Sequence, residues 1–248
     1  MSQPRFAGKH VVVTGATSGI GRAGALKIAR EGGVVVATGR DEDRLASLRS
    51  ELGSQCIVLK NDAAQVGAAE QLRDALTSLG PIHGLWLNAG YAEIASVREI
   101  GAEMFDRLMA ANVRGPVLQM AALEDLLADD GAVLLTSSTS AYEGSPAASI
   151  YAATKGALVS LARCWSAALG SRGIRVNTLV PGPIDTEFRS FMPHSFRKDF
   201  ETDVVSRLAL GRIGTADEAA SAAAFLLSND SSYITGAQLL VDGGLVMH

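Results

Sequence analysis

Short apolar runs alternate along the chain with longer segments that carry apolar residues at helical spacing. Seven of these runs are rich in β-branched residues and are bounded by turn residues, which predicts seven strands. Most of them are apolar throughout, so both of their faces must be buried, as in a parallel sheet covered by helices. The pattern therefore predicts an α/β fold with a doubly wound sheet of seven parallel strands and helices on both faces. The predicted strands are His10–Thr14, Val34–Thr38, Ile57–Lys60, Ile82–Leu87, Ala132–Thr136, Ile174–Leu179 and Gln238–Val241.

Two longer helices are predicted at Met104–Leu127 and Tyr151–Leu169, both rich in alanine. No period of roughly 20–50 residues recurs and no linker rich in proline or serine divides the chain, so repeats and a second domain are disfavoured. We therefore expect one domain over residues 1–248. The exception is Gly182–Leu210, which is long and irregular for a loop between packed elements.

The composition excludes several classes of protein. Hydrophobic residues make up 48% of the chain and charged residues 19%, which provides ample apolar surface for a core. A formal net charge of −4 with no basic run argues against a nucleic-acid partner. Met1–Lys9 lacks the apolar core of a signal peptide, and no stretch of about eighteen apolar residues could span a membrane. We expect a cytoplasmic protein in which Cys56 and Cys164 are reduced thiols in the core.

A glycine-rich turn, Thr14–Gly21, follows the first predicted strand and precedes a helical run. Its spacing, Gly-x-x-x-Gly-x-Gly, differs from the Gly-x-Gly-x-x-Gly of the standard dinucleotide fingerprint. The same physics applies, because Gly15 permits a tight strand exit, and Gly19 and Gly21 let backbone N–H groups approach a pyrophosphate at a helix N-terminus. Such a cluster is also ordinary turn chemistry, but its position after the first strand favours a dinucleotide site.

The end of the second predicted strand distinguishes the two nicotinamide dinucleotides. An acidic residue there would bind the 2′-hydroxyl of the adenosine ribose and repel a 2′-phosphate. This chain has Thr38-Gly39-Arg40, with no carboxylate and with a guanidinium that can bind a phosphate bidentately. The alternative is a solvated loop arginine that precedes a helix start at residues 41–43. The sequence therefore favours NADP(H).

Polar residues follow the third and fourth predicted strands, at the edge where open α/β sheets bind ligands. They are Asn61-Asp62 and Asn88-Ala89-Gly90, and either group could instead form a turn or a helix cap. Their position beside the glycine turn makes them candidates for the same site.

Tyr151 and Lys155 stand at positions i and i+4 and so share one face of a predicted helix. An adjacent ammonium favours the phenolate, so we expect the pKa of Tyr151 to lie below its usual value of about 10, where the phenol can act as an acid or base. The alternative is a surface pair with no partnership. Hydroxyls that end the fifth predicted strand, among them Ser138, reach the same edge of the sheet, although composition does not choose between them.

These motifs, in this order, resemble those of the short-chain dehydrogenase/reductase family, and the resemblance extends from Lys9 to Gly244. It implies a Rossmann-like fold and selects Ser138 among the hydroxyls, which leaves Ser137 and Ser140 as scaffold or pocket lining. One departure is Leu87, where the family commonly has a second asparagine. The implied catalytic tetrad is Asn112, Ser138, Tyr151 and Lys155.

The resemblance also assigns the cofactor site. Pro181–Thr186 resembles the segment that holds the nicotinamide amide, with Thr186 as its side-chain contact and Ile184 contributing backbone. Ile234–Gly236 and Val241–Gly244 match the family's C-terminal signature, and no metal site is implied. The residues expected to contact NADP(H) are Gly15, Thr17, Ser18, Gly19, Ile20, Gly21, Arg40, Asp62, Asn88, Ala89, Gly90, Tyr151, Lys155, Pro181, Gly182, Ile184 and Thr186.

The implied reaction is hydride transfer between the nicotinamide and a carbonyl or alcohol carbon. Lys155 would hydrogen-bond the nicotinamide ribose and lower the pKa of Tyr151, while Ser138 polarises the carbonyl. Asn112 would hold a water that links Lys155 to solvent. These roles predict a reductase of ketones or aldehydes that also oxidises secondary alcohols.

Residues 183–210 are expected to cover the substrate. An apolar group in this segment suggests a hydrophobic ketone or aldehyde, or else packs the lid onto the core or a neighbouring subunit. Three basic residues, Arg189, Arg197 and Lys198, could meet an acidic substrate or carrier protein, or form a solvated face. The apolar group comprises Phe188, Phe191, Met192, Pro193, His194 and Phe196.

Family likeness implies a homotetramer, or a homodimer, paired through the two alanine-rich helices. A different class of function is a non-catalytic NADP-binding redox sensor, which would have no need for the intact tetrad. An epimerase or dehydratase acting on nucleotide sugars would need a longer C-terminal substrate domain than the short tail after Gly244.

Overall fold

Seven parallel strands form one sheet in the order β3-β2-β1-β4-β5-β6-β9. This arrangement comes from a computed structural model, which describes residues 4–187 and 202–247. The chain winds outward from β1 in one direction and then from β4 in the other, so β1 and β4 flank the switch point where ligands of open sheets bind. The strands are β1 His10–Val13, β2 Val34–Gly39, β3 Ile57–Lys60, β4 Ile82–Leu87, β5 Leu127–Thr136, β6 Arg175–Pro181 and β9 Gln238–Val241.

Helices connect the strands and cover both faces of the sheet. Several begin at recognisable caps: the Asp41 carboxylate accepts the backbone N–H of Arg44, and Thr215 and Glu218 form a capping box. The helices are α1 Gly19–Arg30, α2 Glu42–Leu52, α3 Ala68–Leu76, α4 Ala102–Met109, α5 Gly115–Leu123, α6 Ser140–Glu143, α7 Ser149–Leu169 and α8 Ala216–Leu227.

Successive residues of each central strand enter two different cores. In β1, Val11 and Val13 pack with α1, α2 and α8, whereas Val12 packs with α3, α5 and α7 on the opposite face. In β5, Leu134 and Leu135 divide between the same two clusters. This alternation explains why the strands read as continuous apolar runs, and it confirms the predicted α/β, Rossmann-like fold.

Two predicted elements, a helix and a strand, differ from the structure by more than two residues at a boundary. The helix expected at Met104–Leu127 is interrupted by a π-helical turn at Ala110–Arg114, and Leu127 already begins β5. In a π turn each backbone hydrogen bond spans one residue more than in an α-helix, and side-chain periodicity does not reveal this change. β5 starts five residues before the predicted Ala132 because Leu127 also pairs with Ile82, across a register shift.

The segment after β6 also has more regular structure than expected. Ile184–Asp185 forms β7, which pairs in parallel with β8, Gly214–Thr215, and residues 202–207 are helical. The apolar and basic groups expected in the lid, between Phe188 and Lys198, lie outside the described residues.

Both cysteines are free thiols, but only Cys56 is buried. Cys164 is exposed, so its assignment to the core was wrong: it lies on the outward face of α7, on the side of the helix opposite the buried Ala162. Within residues 4–187 and 202–247, no helix has the length and apolarity needed to cross a membrane.

Candidate active site

The residues that the sequence predicts to bind the cofactor all line one cavity at the carboxyl edge of the sheet. Ser138 lines the same cavity, while Asn112 is fully buried and lies behind its wall. The cavity is therefore an elongated cleft that runs from the end of β2, across the glycine turn, to the start of α7.

The glycine turn leaves no room for side chains. Gly15 and Gly19 have φ angles of 65° and 52°, in the left-handed region that favours glycine. A Cβ at Gly21 would lie 2.4 Å from the Gly15 carbonyl oxygen and from Nδ2 of Asn88. The turn therefore presents bare backbone to the cleft, as the binding of a pyrophosphate requires.

The N-terminus of α1 opens into this turn. Ser18 is the N-cap residue, yet its hydroxyl makes no capping hydrogen bond, and the first turn carries no acidic side chain. The first N–H groups of the helix and its positive dipole end are thus available to an anion. This geometry fits the phosphates of a dinucleotide.

Arg40 directly follows β2 and lines that end of the cleft, and its side chain is exposed. Gly39 beside it packs against Thr17 so closely that a Cβ there would lie 2.2 Å from Cγ2 of Thr17. Position 39 therefore has room only for glycine, and the positive charge next to it comes from Arg40.

Asp62 follows β3 on the same wall. One of its carboxylate oxygens accepts the backbone N–H of Ala64 at 3.1 Å, which fixes the loop after the strand. Asn61 is buried and its amide donates to the Ala68 carbonyl and to Gln71, so it anchors the start of α3.

Thr136, at the end of β5, joins the two halves of the cleft. Its hydroxyl accepts from the Trp86 indole at 2.8 Å and donates to Oδ1 of Asn88 at 3.1 Å. Nδ2 of Asn88 in turn donates to the carbonyls of Thr14 and Gly15. The backbone carbonyl of Thr136 accepts from the Lys155 ammonium at 2.9 Å. The glycine turn and Lys155 are thus connected through one residue.

Tyr151, Ser138 and Lys155 meet at the α7 end of the cleft. The Tyr151 phenol shares a hydrogen bond with Ser138, and Nζ of Lys155 lies 5.6 Å from the centroid of the Tyr151 ring. Ser137 donates to the Lys155 carbonyl at 2.8 Å, which ties the end of β5 to α7. The expected proximity of the three groups is present in the structure.

The pKa of Tyr151 differs from the sequence expectation. Burial raises it to about 12, and the hydrogen bond from Ser138 opposes this rise only in part. Burial also lowers the pKa of Lys155 to about 8. The expected lowering of the Tyr151 pKa by Lys155 was wrong, because burial of the phenol is the largest influence on this pKa and raises it.

Asn112 lies in the π turn between α4 and α5, and its side-chain amide is fully engaged. Oδ1 accepts the Tyr91 backbone N–H at 3.0 Å, while Nδ2 donates to the Tyr91 carbonyl and to Thr154. The amide therefore holds the loop after β4 against α7. Its oxygen also faces Gly90, where a Cβ would lie 2.9 Å away.

Known proteins resemble the chain along nearly its whole length. A family model described as enoyl-(acyl carrier protein) reductase matches residues 15–246. Glucose 1-dehydrogenase of Gluconobacter oxydans is 34% identical over 98% of this chain and 94% of its own length. A 3-oxoacyl-acyl-carrier-protein reductase of Thermotoga maritima is 32% identical over 98% of this chain and 100% of its own.

Two solved structures show the same fold. A short-chain dehydrogenase/reductase of Brucella melitensis is 31% identical and superposes with a TM-score of 0.93 over 100% of both chains. This chain belongs to the short-chain dehydrogenase/reductase family. A metagenomic blue fluorescent protein, solved in complex with NADPH, is 31% identical with a TM-score of 0.91 over 98% of this chain and 100% of its own.

As a short-chain dehydrogenase/reductase, the chain is an oxidoreductase, and its family binds a nicotinamide cofactor. The C-terminal signature of the family has a structural role in this member. A Cβ at Gly182 would lie 2.6 Å from Cβ of Asp242, whose carboxylate accepts the backbone N–H groups of Gly244 and Val246. The C-terminal signature therefore packs against Gly182 and supports the segment Pro181-Gly182 that lines the cavity.

The cavity of this short-chain dehydrogenase/reductase has further lining residues that sequence reasoning did not assign to it. Only Arg44 carried a usable signal, since it lies at position i+4 from Arg40 at a predicted helix start. The others reach the cavity through tertiary packing. They are Gly39, Arg44, Ala63, Ala64, Tyr91, Ala111, Thr136 and Glu187.

Proposed function

We propose that this chain is an NADP(H)-dependent oxidoreductase that interconverts a ketone and a secondary alcohol. The observation that carries the proposal is that the phenol of Tyr151, the hydroxyl of Ser138 and the ammonium of Lys155 share one cleft with the bare glycine turn. Function follows such a site and not the fold alone. We infer that residues 1–248 act together as one domain.

NADP(H) is favoured over NAD(H) by the charge at the end of β2. Arg40 lines the cavity, and no acidic side chain occupies the β2 tip, Thr38-Gly39. The NADPH-bound relative supports the same choice. The glycine turn and the open N-terminus of α1 would hold the pyrophosphate, and the 182–186 segment would hold the nicotinamide amide through Ile184 and Thr186.

When bound, the nicotinamide supplies or accepts the hydride. Tyr151 donates its proton to the carbonyl oxygen of the substrate in reduction and accepts it back in oxidation. Ser138 donates a hydrogen bond to the same oxygen and orients it towards the phenol. The Lys155 ammonium stabilises the phenolate that remains and hydrogen-bonds the nicotinamide ribose.

Asn112 would complete the tetrad as a positioning group. Because Tyr91 and Thr154 occupy its side-chain amide, a water held at this position would have to bind the backbone of the π turn. Such a water would link Lys155 to solvent and return its proton.

The substrate is proposed to be an apolar ketone or aldehyde. An apolar cluster that includes Met104 and Leu108 packs against Tyr151, with Ile100 and Ile150 at its margin. Met104 and Leu108 are buried and hold the phenol in place without lining the described cavity, so the proposed apolar substrate rests on the apolar composition of the 183–210 segment. A cytoplasmic setting, which supplies NADPH, fits the same proposal.

We also propose a homotetramer, or a homodimer, as in the family resemblance. Apolar side chains are exposed on α4, α5 and the edge strand β9, where Phe105, Leu118 and Leu240 are 44%, 39% and 37% exposed. A partner subunit would cover them. Light scattering after size-exclusion chromatography gives the oligomeric mass, and a monomer at micromolar concentration would contradict the assembly.

The function is tested by mixing the protein with NADPH and a panel of apolar ketones and aldehydes while following NADPH oxidation. We expect turnover with NADPH and much less with NADH. Tight NADPH binding with no turnover across a broad panel would instead favour the non-catalytic redox sensor.

A further inference from the structure

An ion pair crosses the cleft away from the catalytic groups. Nη1 of Arg44, on the first turn of α2, lies 2.7 Å from Oε2 of Glu187, which follows β7. Both residues line the same cavity as the glycine turn. The neighbouring Thr186 lies over Gly19, where a Cβ would be 3.2 Å from its Cγ2. Residues 186–187 therefore reach from the glycine turn to α2.

Arg44 shares its end of the cleft with Arg40. The two arginines stand at positions i and i+4, and both line the cavity. Within the described ranges, the Arg40 guanidinium has neither a hydrogen bond nor an ion pair to another residue. Two guanidinium groups therefore face the part of the cleft where the adenosine ribose would lie, and only Arg44 has a carboxylate partner among described residues.

The carboxylates at the start of α2 do not neutralise this region from within the cavity. Asp41 accepts the backbone N–H of Arg44 as the helix cap, and Glu42 pairs with Lys60 at 2.9 Å. Asp41, Glu42 and Asp43 are all absent from the cavity lining. Asp62 and Glu187 are the acidic side chains of the described cavity wall; Asp62 accepts the backbone N–H of Ala64, and Glu187 is the one that pairs with an arginine.

We propose that Arg44 is a second ligand of the 2′-phosphate of NADP(H) and that Glu187 is its internal competitor. This inference rests on the proposed cofactor. The side chains of Arg44 and Glu187 are 47% and 69% exposed, and such exposed pairs contribute little stability. A phosphate monoester carries about two negative charges and binds a guanidinium bidentately, so it displaces the carboxylate.

The exchange would make the pair a discriminator between the two dinucleotides. NADH presents only a 2′-hydroxyl, which cannot compete with a carboxylate for a guanidinium, so Arg44 stays with Glu187. The 2′-phosphate of NADPH binds Arg44 and displaces the Glu187 carboxylate. Arg44 therefore contributes to specificity only when the 2′-phosphate is present.

The test is to measure the Kd of NADPH and of NADH, by titration calorimetry, for wild type, Arg44→Gln, Glu187→Gln and the double variant. We expect Arg44→Gln to weaken NADPH binding about tenfold, as for one lost charge-assisted contact, and NADH binding by less than about twofold. Glu187→Gln should tighten NADPH binding roughly two- to threefold, since it removes the competitor. The double variant should match Arg44→Gln, because Glu187 acts only through Arg44.

Arg73→Gln is the matched control. Arg73 pairs with Asp125, and it does not line the cavity, so its removal should leave both Kd values unchanged. Thermal melting of each variant without cofactor verifies that the fold is retained.

The outcomes separate this inference from the proposed cofactor. If wild type binds NADH as tightly as NADPH, the cofactor proposal fails. If wild type prefers NADPH but Arg44→Gln keeps that preference, or Glu187→Gln weakens NADPH binding, the role of the pair is overturned and the cofactor proposal stands.

Discussion

Gly24 of α1 lies directly on the indole of Trp86 at the end of β4. A Cβ at residue 24 would lie 2.1 Å from Cζ3 of the ring, so only glycine lets the helix approach the sheet at this point. Trp86 is fully buried and donates its N–H to Thr136, the residue that connects the glycine turn with Lys155. The absence of a side chain at Gly24 thus lets α1 pack against the Trp86 ring, which in turn supports Thr136.

Gly24→Ala should destabilise the protein although alanine is the better helix former. The added methyl group has to displace a rigid ring in a packed core, and overpacking of this kind costs about 1–3 kcal/mol. Urea denaturation measures the free energy of unfolding. The control is Gly156→Ala in α7, where a Cβ meets no atom within 4 Å; it should be neutral or stabilise by about 0.5–1 kcal/mol. Equal stabilities of the two variants would contradict the contact.

Tyr151→Phe should lower kcat by at least about 10²-fold, the scale of a lost general acid, and leave the Kd of NADPH nearly unchanged. Phenylalanine keeps the ring that packs with Met104 and Leu108 but removes the hydroxyl that bonds Ser138. Steady-state kinetics with a ketone identified in the panel gives kcat. The control is Tyr142→Phe, which removes another part-buried hydroxyl, bonded to Gln238. Turnover close to that of wild type would show that Tyr151 is not the general acid.

Arg40→Gln should raise the KM for NADPH at least about tenfold and leave the KM for NADH unchanged, because the proposed partner of the guanidinium is the 2′-phosphate, which NADH lacks. An aspartate at position 39 would place a carboxylate against the 2′-phosphate, but its Cβ would lie 2.2 Å from Cγ2 of Thr17 and would disturb the glycine turn. Kinetics with both dinucleotides decide the question. An unchanged ratio of kcat/KM values would mean that the 2′-phosphate is read elsewhere.

The stability of the protein should rise with pH between about 8 and 10. Burial lowers the pKa of Lys155 to about 8, whereas an unfolded lysine keeps the ordinary value of 10.5. In this window the unfolded chain binds more protons, so raising the pH favours the folded chain by at most about 1.4 kcal/mol per pH unit. The measurement is urea denaturation at several pH values, with Lys155→Met as control. The same slope in both proteins would show that Lys155 is not the group responsible.

The fold could be predicted because the central strands are covered on both faces. Val11, Val12 and Val13 enter two different cores, and this double burial leaves a continuous apolar run in the sequence. The start of β5 could not be predicted, because Asp129 and Asp130 interrupt the apolar run, and Asp130 has a left-handed φ of 59° within the strand. The π turn at Asn112 is a change in backbone hydrogen bonding that leaves side-chain types unchanged.

The candidate site was predicted where residues close in sequence act together, as in the glycine turn and the Tyr151–Lys155 pair. Contacts between distant segments were missed. Nothing in the sequence links Gly24 to Trp86, or Arg44 to Glu187, until the fold brings their elements together. The prediction for the pKa of Tyr151 was wrong for a similar reason, since the sequence gives the neighbouring charge but not the extent of burial.

Thr136 has a consequence for the spacing of the two halves of the cleft. Through its hydroxyl and its carbonyl it joins the glycine turn to the helix that carries Lys155, so these two parts cannot separate without breaking hydrogen bonds. A nucleotide that spans the cleft would therefore meet its phosphate site and the Lys155 ammonium at a distance that is fixed before it binds.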